Sequence, residues 1–275
     1  MDKTYPARIE GLCAEDLNTL LAFKAQMSPL LSRFPEMNTL WHVFRFLRSK
    51  KFNIEAATKA VSEFVQYRAD ARLDEVAARD HAAYADIEAG IEAGRYGVDK
   101  SGRPIIIQRI GKTDVKTIMR SKYEQLRVDY FIQKYERMLF IELPLASKAA
   151  HTRIDKVIII NDFSGITMAK MLDSKLKAFL KLLVVIGQTN YPELTEHTFI
   201  VNMPSMFKGM WNMLQSWFSN SNSARVSVHS SVPFDKLAEY LDVDKLPMSL
   251  GGKNETPLSD DHGPWKQAID ASRVR

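Results

Sequence analysis

Lys156-Val157-Ile158-Ile159-Ile160-Asn161-Asp162-Phe163-Ser164-Gly165-Ile166 is the stretch that sets the fold class. Val157 to Ile160 is an unbroken β-branched run, the composition a strand needs when both of its faces are buried, as in a parallel sheet. Polar and turn-forming residues then end it. Downstream, a helical pattern from Met168 to about Ile186 leads to a second apolar strand, Thr198–Asn202. A helix over Ser205–Phe218 leads to a third, Arg225–His229, and Phe234–Leu241 makes a short helix before Leu246-Pro247. Upstream, Tyr123–Leu143 reads as a long amphipathic helix ended by Pro144. Before it, Arg95–Val98 and Pro104–Ile110 are two strands joined by the polar turn Asp99-Lys100-Ser101-Gly102. Strands and helices alternating at these lengths predict an α/β lobe with a mainly parallel central sheet and right-handed crossovers.

The first seventy residues have another character. From Ala14 to about Leu73 apolar residues recur at spacings of three and four, through Leu17, Leu20, Phe44, Leu47, Val61 and Val65. Breaks fall at Ser28-Pro29, Phe34-Pro35 and Phe52-Asn53. The expected organisation is an all-α N-terminal lobe over residues 1–88, then the α/β lobe with its C-terminal tail over 89–275. At 275 residues, 45% hydrophobic and 26% charged, the chain has an ordinary globular composition. Its formal charge of +5 is mild. The single cysteine, Cys13, leaves no internal disulfide framework and fits a reducing compartment. Met1–Glu10 has no apolar signal region, and the richest apolar run, Phe179 to Gly187, is too short to span a bilayer.

Ser205–Phe218 stands apart. Met206, Phe207, Met210, Trp211, Leu214, Trp217 and Phe218 fall on one helical face, and no charged residue occurs from Gly209 to Ala224. A core helix packed on the sheet accounts for this pattern. So does a lid whose apolar face covers a lipid and whose tryptophans reach the bilayer interface. Composition leaves both open. Other chemistries find no support. The six histidines show no metal-ligand spacing, and no nucleophile elbow, phosphate loop or dinucleotide fingerprint is present. The basic group at Arg45, Arg48, Lys50 and Lys51 lacks the interleaved aromatics and wider basic stripe of a nucleic-acid site. The chain is expected to be no enzyme and to hold no metal.

Several ordered segments carry a resemblance. Arg45-Phe-Leu-Arg-Ser-Lys-Lys-Phe52, Asp99-Lys-Ser-Gly-Arg-Pro104 and Asn161-Asp-Phe-Ser-Gly-Ile166 are similar to the RFLRARKF, DKxGRP and MDLKGI elements of the CRAL-TRIO family. Asn190-Tyr-Pro-Glu193, Phe199-Ile-Val-Asn-Met-Pro204 and Leu246-Pro-Met-Ser-Leu-Gly-Gly-Lys253 resemble its YPE, YIINAP and LPxxFGG motifs. The likeness is collinear from about Leu40 to Trp265 and points to the fungal-type phosphatidylinositol transfer branch. It implies a deep apolar pocket floored by the sheet, closed by a gate helix at Ser205–Phe218, and holding one phospholipid, with phosphatidylinositol the expected ligand. Two acyl chains bring roughly 30 methylenes, each costing about 0.8 kcal/mol in water, so the carrier works by shielding.

The same resemblance implies site residues. Glu193 matches the headgroup glutamate of the YPE motif and suits inositol hydroxyls, which a carboxylate accepts. Arg225 and Lys50 replace a lysine and an arginine with the charge kept; Asn222 replaces a threonine. Thr167 stands where a phosphatidylcholine-binding serine is expected. Ala169, Arg95 and Ile106 replace a hydroxyl and two aromatic residues, which weakens any choline site. The arginine after YPE is Leu194. The implied protein is a monomeric cytoplasmic carrier that touches the cytosolic face of internal membranes, Golgi or endosomal, and has a lipid kinase as a partner. A carrier of a sterol or tocopherol-like hydrophobe, or a lipid-sensing regulator of such a kinase, is the alternative.

Overall fold

The computed structural model of the chain describes residues 9–205, 215, 216, 224–260 and 262–267. The proposed gate residues Met206, Phe207, Met210, Trp211, Leu214, Trp217 and Phe218, and Asn222, lie outside them. The chain divides into two compact units, Met1–Asp74 with Ile186–Glu193, and Glu75–Val185 with Leu194–Arg275.

In the first unit, helix α1 (Ala14–Leu31) buries Leu20, Phe23, Met27 and Leu31 along one stripe. Helix α2 (Leu40–Ser49) starts at Thr39, whose side chain accepts from His42 N–H, and buries Val43, Phe44 and Leu47. Helix α3 (Ile54–Asp70) starts at Asn53, which accepts from Ala56 N–H at 2.9 Å. The break at Phe52-Asn53 is where expected, with Lys51 and Phe52 both at positive φ. The break at Ser28-Pro29 is absent. Pro29 sits inside the last turn of α1 and removes a single donor there, so the helix runs on to Leu31.

The second unit is built on a five-stranded sheet in sequential order: β1 (Ala93–Val98), β2 (Pro104–Arg109), β3 (Val157–Asp162), β4 (Thr195–Val201) and β5 (Val226–Val228). β1 runs antiparallel to β2 and the other pairs are parallel. The sheet is therefore mainly parallel, as the apolar runs predict. The Asp99 carboxylate makes the β1–β2 turn: Oδ1 accepts from Ser101 and Arg103 N–H, and Oδ2 pairs with Arg103 Nε at 2.6 Å. Gly102, at φ +82°, closes it where a side chain would be strained and would meet Ala150.

Alternate residues serve the two faces of the sheet. Ile105, Ile107, Ile158, Ile160, Phe199 and Val201 form a closed core with Leu237 of helix α7 (Phe234–Tyr240) and with Leu241, Leu246 and Leu250. Strand β4 begins three residues before the expected Thr198, because Thr195 and His197 also pair with Val157 and Ile158 of β3 despite their polarity, with Glu196 in the bulge between them. Lys156 Nζ holds Glu196 at 2.9 Å there.

Helix α4 (Glu124–Arg137) does not end at Pro144. It widens into a π-helical turn, Met138–Glu142, and continues as α5 (Leu143–Ala150) to a left-handed stop at His151. Pro144 falls in the first turn of α5, where it has no N–H to give up, and the wide turn before it relieves the clash a regular helix would suffer. Helix α6 (Ser174–Asn190) follows the short helix Met168–Leu172.

Candidate functional site

The second unit holds a cavity of about 650 Å³ on the face of the sheet opposite the closed core. Its floor is the alternate set of strand residues, Arg95, Ile106, Gln108 and Ile159. Tyr130, Phe131 and Met138 of α4 and the π turn form one wall; Leu176, Phe179, Leu180 and Leu183 of α6 form another. Segments 85–94 and 110–118 complete it. A mainly apolar recess with a few convergent polar groups is what a small-molecule site requires, and the volume lies within the roughly 300–1,000 Å³ such sites occupy.

The polar groups gather where β1 meets α4. Arg95 and Ile106, the replacements for two family aromatics, are direct cross-strand partners and both line the cavity. Glu142, on the π turn and without solvent exposure, is shared by two guanidiniums: Arg95 Nε and Arg137 Nε each lie 2.9 Å from its Oε1. Lys134 also lines the cavity. Its Nζ meets Glu88 Oε1 at 3.0 Å and stands 4.8 Å from the Tyr130 ring centre. Burial, and then the charge of Arg95, pull the Lys134 ammonium down to about 8 against the opposing pull of Glu88. Burial alone pushes the neighbouring Tyr135 hydroxyl up to about 12. At the end of β2, Arg109 is held by Glu92 and, at 3.5 Å, by Asp162.

The sequence-predicted residues fall in several places. In the first unit, Glu193 sits at φ +62°, a backbone conformation costly for a side-chain-bearing residue, and is nearly buried. Its Oε2 pairs with Arg48 Nη1 at 2.7 Å across 145 residues of sequence. Lys50, expected to contact the headgroup, is the exposed C-cap of α2. In the second unit, Thr167 is an exposed N-cap whose hydroxyl oxygen accepts from Lys170 N–H at 3.3 Å. Arg225, just before β5, donates from Nη1 to the Thr195 carbonyl at 3.4 Å. Sequence reading missed Arg48, Lys134, Tyr135 and Glu142. For Arg48 a signal existed, since it lies in the same basic motif as Lys50, but nothing local distinguishes the two.

Among the described residues no helix is long and apolar enough to cross a membrane. A family model described as CRAL/TRIO domain matches residues 90–252. The chain belongs to the CRAL/TRIO family. This CRAL/TRIO chain is 30% identical over 268 residues to the phosphatidylinositol/phosphatidylcholine transfer protein SFH12 of Arabidopsis thaliana, covering 95% of the chain and 49% of that protein. It is 28% identical to SFH7 of the same plant, similarly named, over 84% of the chain and 43% of the relative. Against Protein real-time of Anopheles gambiae the identity is 28%, over 79% and 32%. The chain thus spans about half the length, or less, of these curated relatives. The crystal structure of Sfh5 shares its fold, with a TM-score of 0.65 at 11% identity, over 94% of this chain and 96% of that one.

Proposed function

We propose that this CRAL/TRIO chain carries phosphatidylinositol between membranes, shielding the lipid without making or breaking a bond. The observation that carries the reading is the mainly apolar cavity on the open face of the sheet, in a chain whose similar proteins are named for phosphatidylinositol and phosphatidylcholine transfer. A mainly apolar recess offsets most of the cost of taking the acyl chains out of a bilayer, so opening sets the rate.

In this reading Glu193 accepts from inositol hydroxyls and Arg48 holds its carboxylate in place. Arg225, Lys50, Asn222 and Thr167 supply headgroup contacts, and the apolar face from Met206 to Phe218 acts as the gate. Met168 and Leu172, and Leu182 and Val185 of α6, are exposed apolar side chains, with exposed Lys175 and Lys181 on the same helix. That combination suits a transient contact with an anionic membrane surface. The reading further includes a monomer at the cytosolic face of Golgi or endosomal membranes that supplies or stimulates a lipid kinase. It rests there on the family resemblance.

Transfer of labelled phosphatidylinositol between vesicles tests it. The wild-type chain is expected to move the lipid, and Glu193→Ala to slow transfer about tenfold or more, the scale of one charge-assisted hydrogen bond. No transfer by the wild type, or equal transfer by a folded Glu193→Ala variant, overturns the reading.

A further inference from the structure

Lys134 has no part in the proposed transfer, yet among the described residues it is the one lysine that lines the cavity. Its Nζ lies 3.0 Å from Glu88 Oε1 and 4.8 Å from the Tyr130 ring centre, and both of those residues line the same cavity. The amine therefore stands at the cavity wall. Only 17% of the side chain is exposed, and Ile106, Phe131, Ile159 and Phe179 make the surrounding lining apolar. Burial is the first cause of the fall of Lys134 from 10.5 to about 8, followed by the charge of Arg95, with Glu88 opposing. Near neutral pH an appreciable fraction of this amine is thus uncharged, whereas an ordinary lysine is almost wholly ammonium.

We infer that Lys134 captures a long-chain aldehyde as an imine, with the hydrocarbon chain lying along Ile106, Ile159 and Phe179. A desolvated lysine amine in an apolar pocket is a nucleophile, and an aldehyde is the electrophile it can take without a leaving group or a co-reactant. The neutral nitrogen bonds to the carbonyl carbon, and one N–H proton passes to the carbonyl oxygen. The second N–H proton and that hydroxyl then leave as one water, so nothing is oxidised or reduced. His81 is placed to move these protons: its Nε2 lies 3.5 Å from Lys134 Nζ and its Nδ1 3.3 Å from Glu88 Oε2. Capture replaces a buried cation with a neutral group, while Glu88, 36% exposed, keeps water and His81. This is a second, covalent use of the cavity and does not depend on phosphatidylinositol transfer.

The test incubates the lipid-free full chain with hexadecanal and cyanoborohydride, which reduces an imine to a stable secondary amine, and maps the labelled peptides by mass spectrometry. Lys134 is expected to carry the hexadecyl group about tenfold or more over any other lysine. Butanal has the same reactive group but little chain to lay on the apolar wall, and should label Lys134 about tenfold or more slowly. Lys134→Arg keeps a cation for Glu88 but has no amine to form the imine, and should lose the preferred label. Label spread over the lysines without preference for Lys134 overturns the inference. So does butanal labelling Lys134 as fast as hexadecanal, or a preferred single label that persists in folded Lys134→Arg. Should that variant fail to fold, the wild-type map and the comparison of chain lengths decide. Phosphatidylinositol transfer is followed alongside: its failure with Lys134 labelled sinks only the transfer reading, and transfer without label at Lys134 sinks only this one.

Discussion

The two faces of the central sheet are made from alternate residues of the same strands, yet they have opposite fates. Ile105, Ile107, Ile158 and Ile160 point into a core closed by Leu237, Leu241, Leu246 and Leu250. Ile106, Gln108 and Ile159, their neighbours in the chain, border a cavity instead. The closed face gains full dispersion contacts and supplies stability. Among the described residues, the open face borders a cavity. The difference teaches that a continuous β-branched run secures a sheet but does not say what covers each side of it.

Several substitutions can break or sharpen that contrast. The largest effect is expected on the cavity side, at its polar end. Glu142→Ala removes a buried carboxylate that both Arg95 and Arg137 hold, and urea unfolding should register a loss of about 3–5 kcal/mol. A loss below about 1 kcal/mol would mean that Glu142 is not what compensates the two buried guanidiniums. On the closed face, Ile160→Ala is expected to cost about 2–5 kcal/mol, because the site is fully packed. Ile159→Ala, one residue away on the cavity face, should cost about 1 kcal/mol, since part of its surroundings is already void. Equal losses at the two positions would erase the distinction between the faces.

The last effect is electrostatic and is read as a trend with pH. Folded Lys134 releases its proton near pH 8, while an unfolded lysine keeps it to about its ordinary 10.5. Below pH 8 both states are protonated and the cost of burying the charge is present in full. Above it the unfolded chain binds more protons, so this group makes the folded state more stable as pH rises from 8 toward 10. His81, Glu88, Arg95 and Arg137 surround it and belong to the same balance. Tyr135, pushed up to about 12, opposes the trend above pH 10. Thermal melts of the wild type and Lys134→Met between these limits should diverge, with the rise confined to the wild type.

Much of the architecture was legible in the residues. The runs at Val157–Ile160, Thr198–Asn202 and Arg225–His229, and the Asp99–Pro104 turn, depend on local steric preference and on side-chain-to-backbone bonds spanning a few residues. Pro29 and Pro144 misled for the same reason. Proline reports what its own N–H and ring forbid; its position in the last turn of α1, or just after a π turn, decides what is lost. The Met206–Phe218 face was the strongest functional signal in the sequence, and it lies outside the described residues.

By itself, then, the sequence determined the mainly parallel sheet, the helical first lobe and the likeness to lipid-carrying relatives, since periodicity, turn chemistry and motif spacing are written in consecutive residues. Only the tertiary structure decided which charges matter. Lys134 reads as a solvated helix cation until burial beside Arg95 depresses it, and Arg48 is indistinguishable from Lys50 until Glu193 arrives from 145 positions away. Desolvation and long-range pairing are properties of a place in the fold, and no window of sequence contains them.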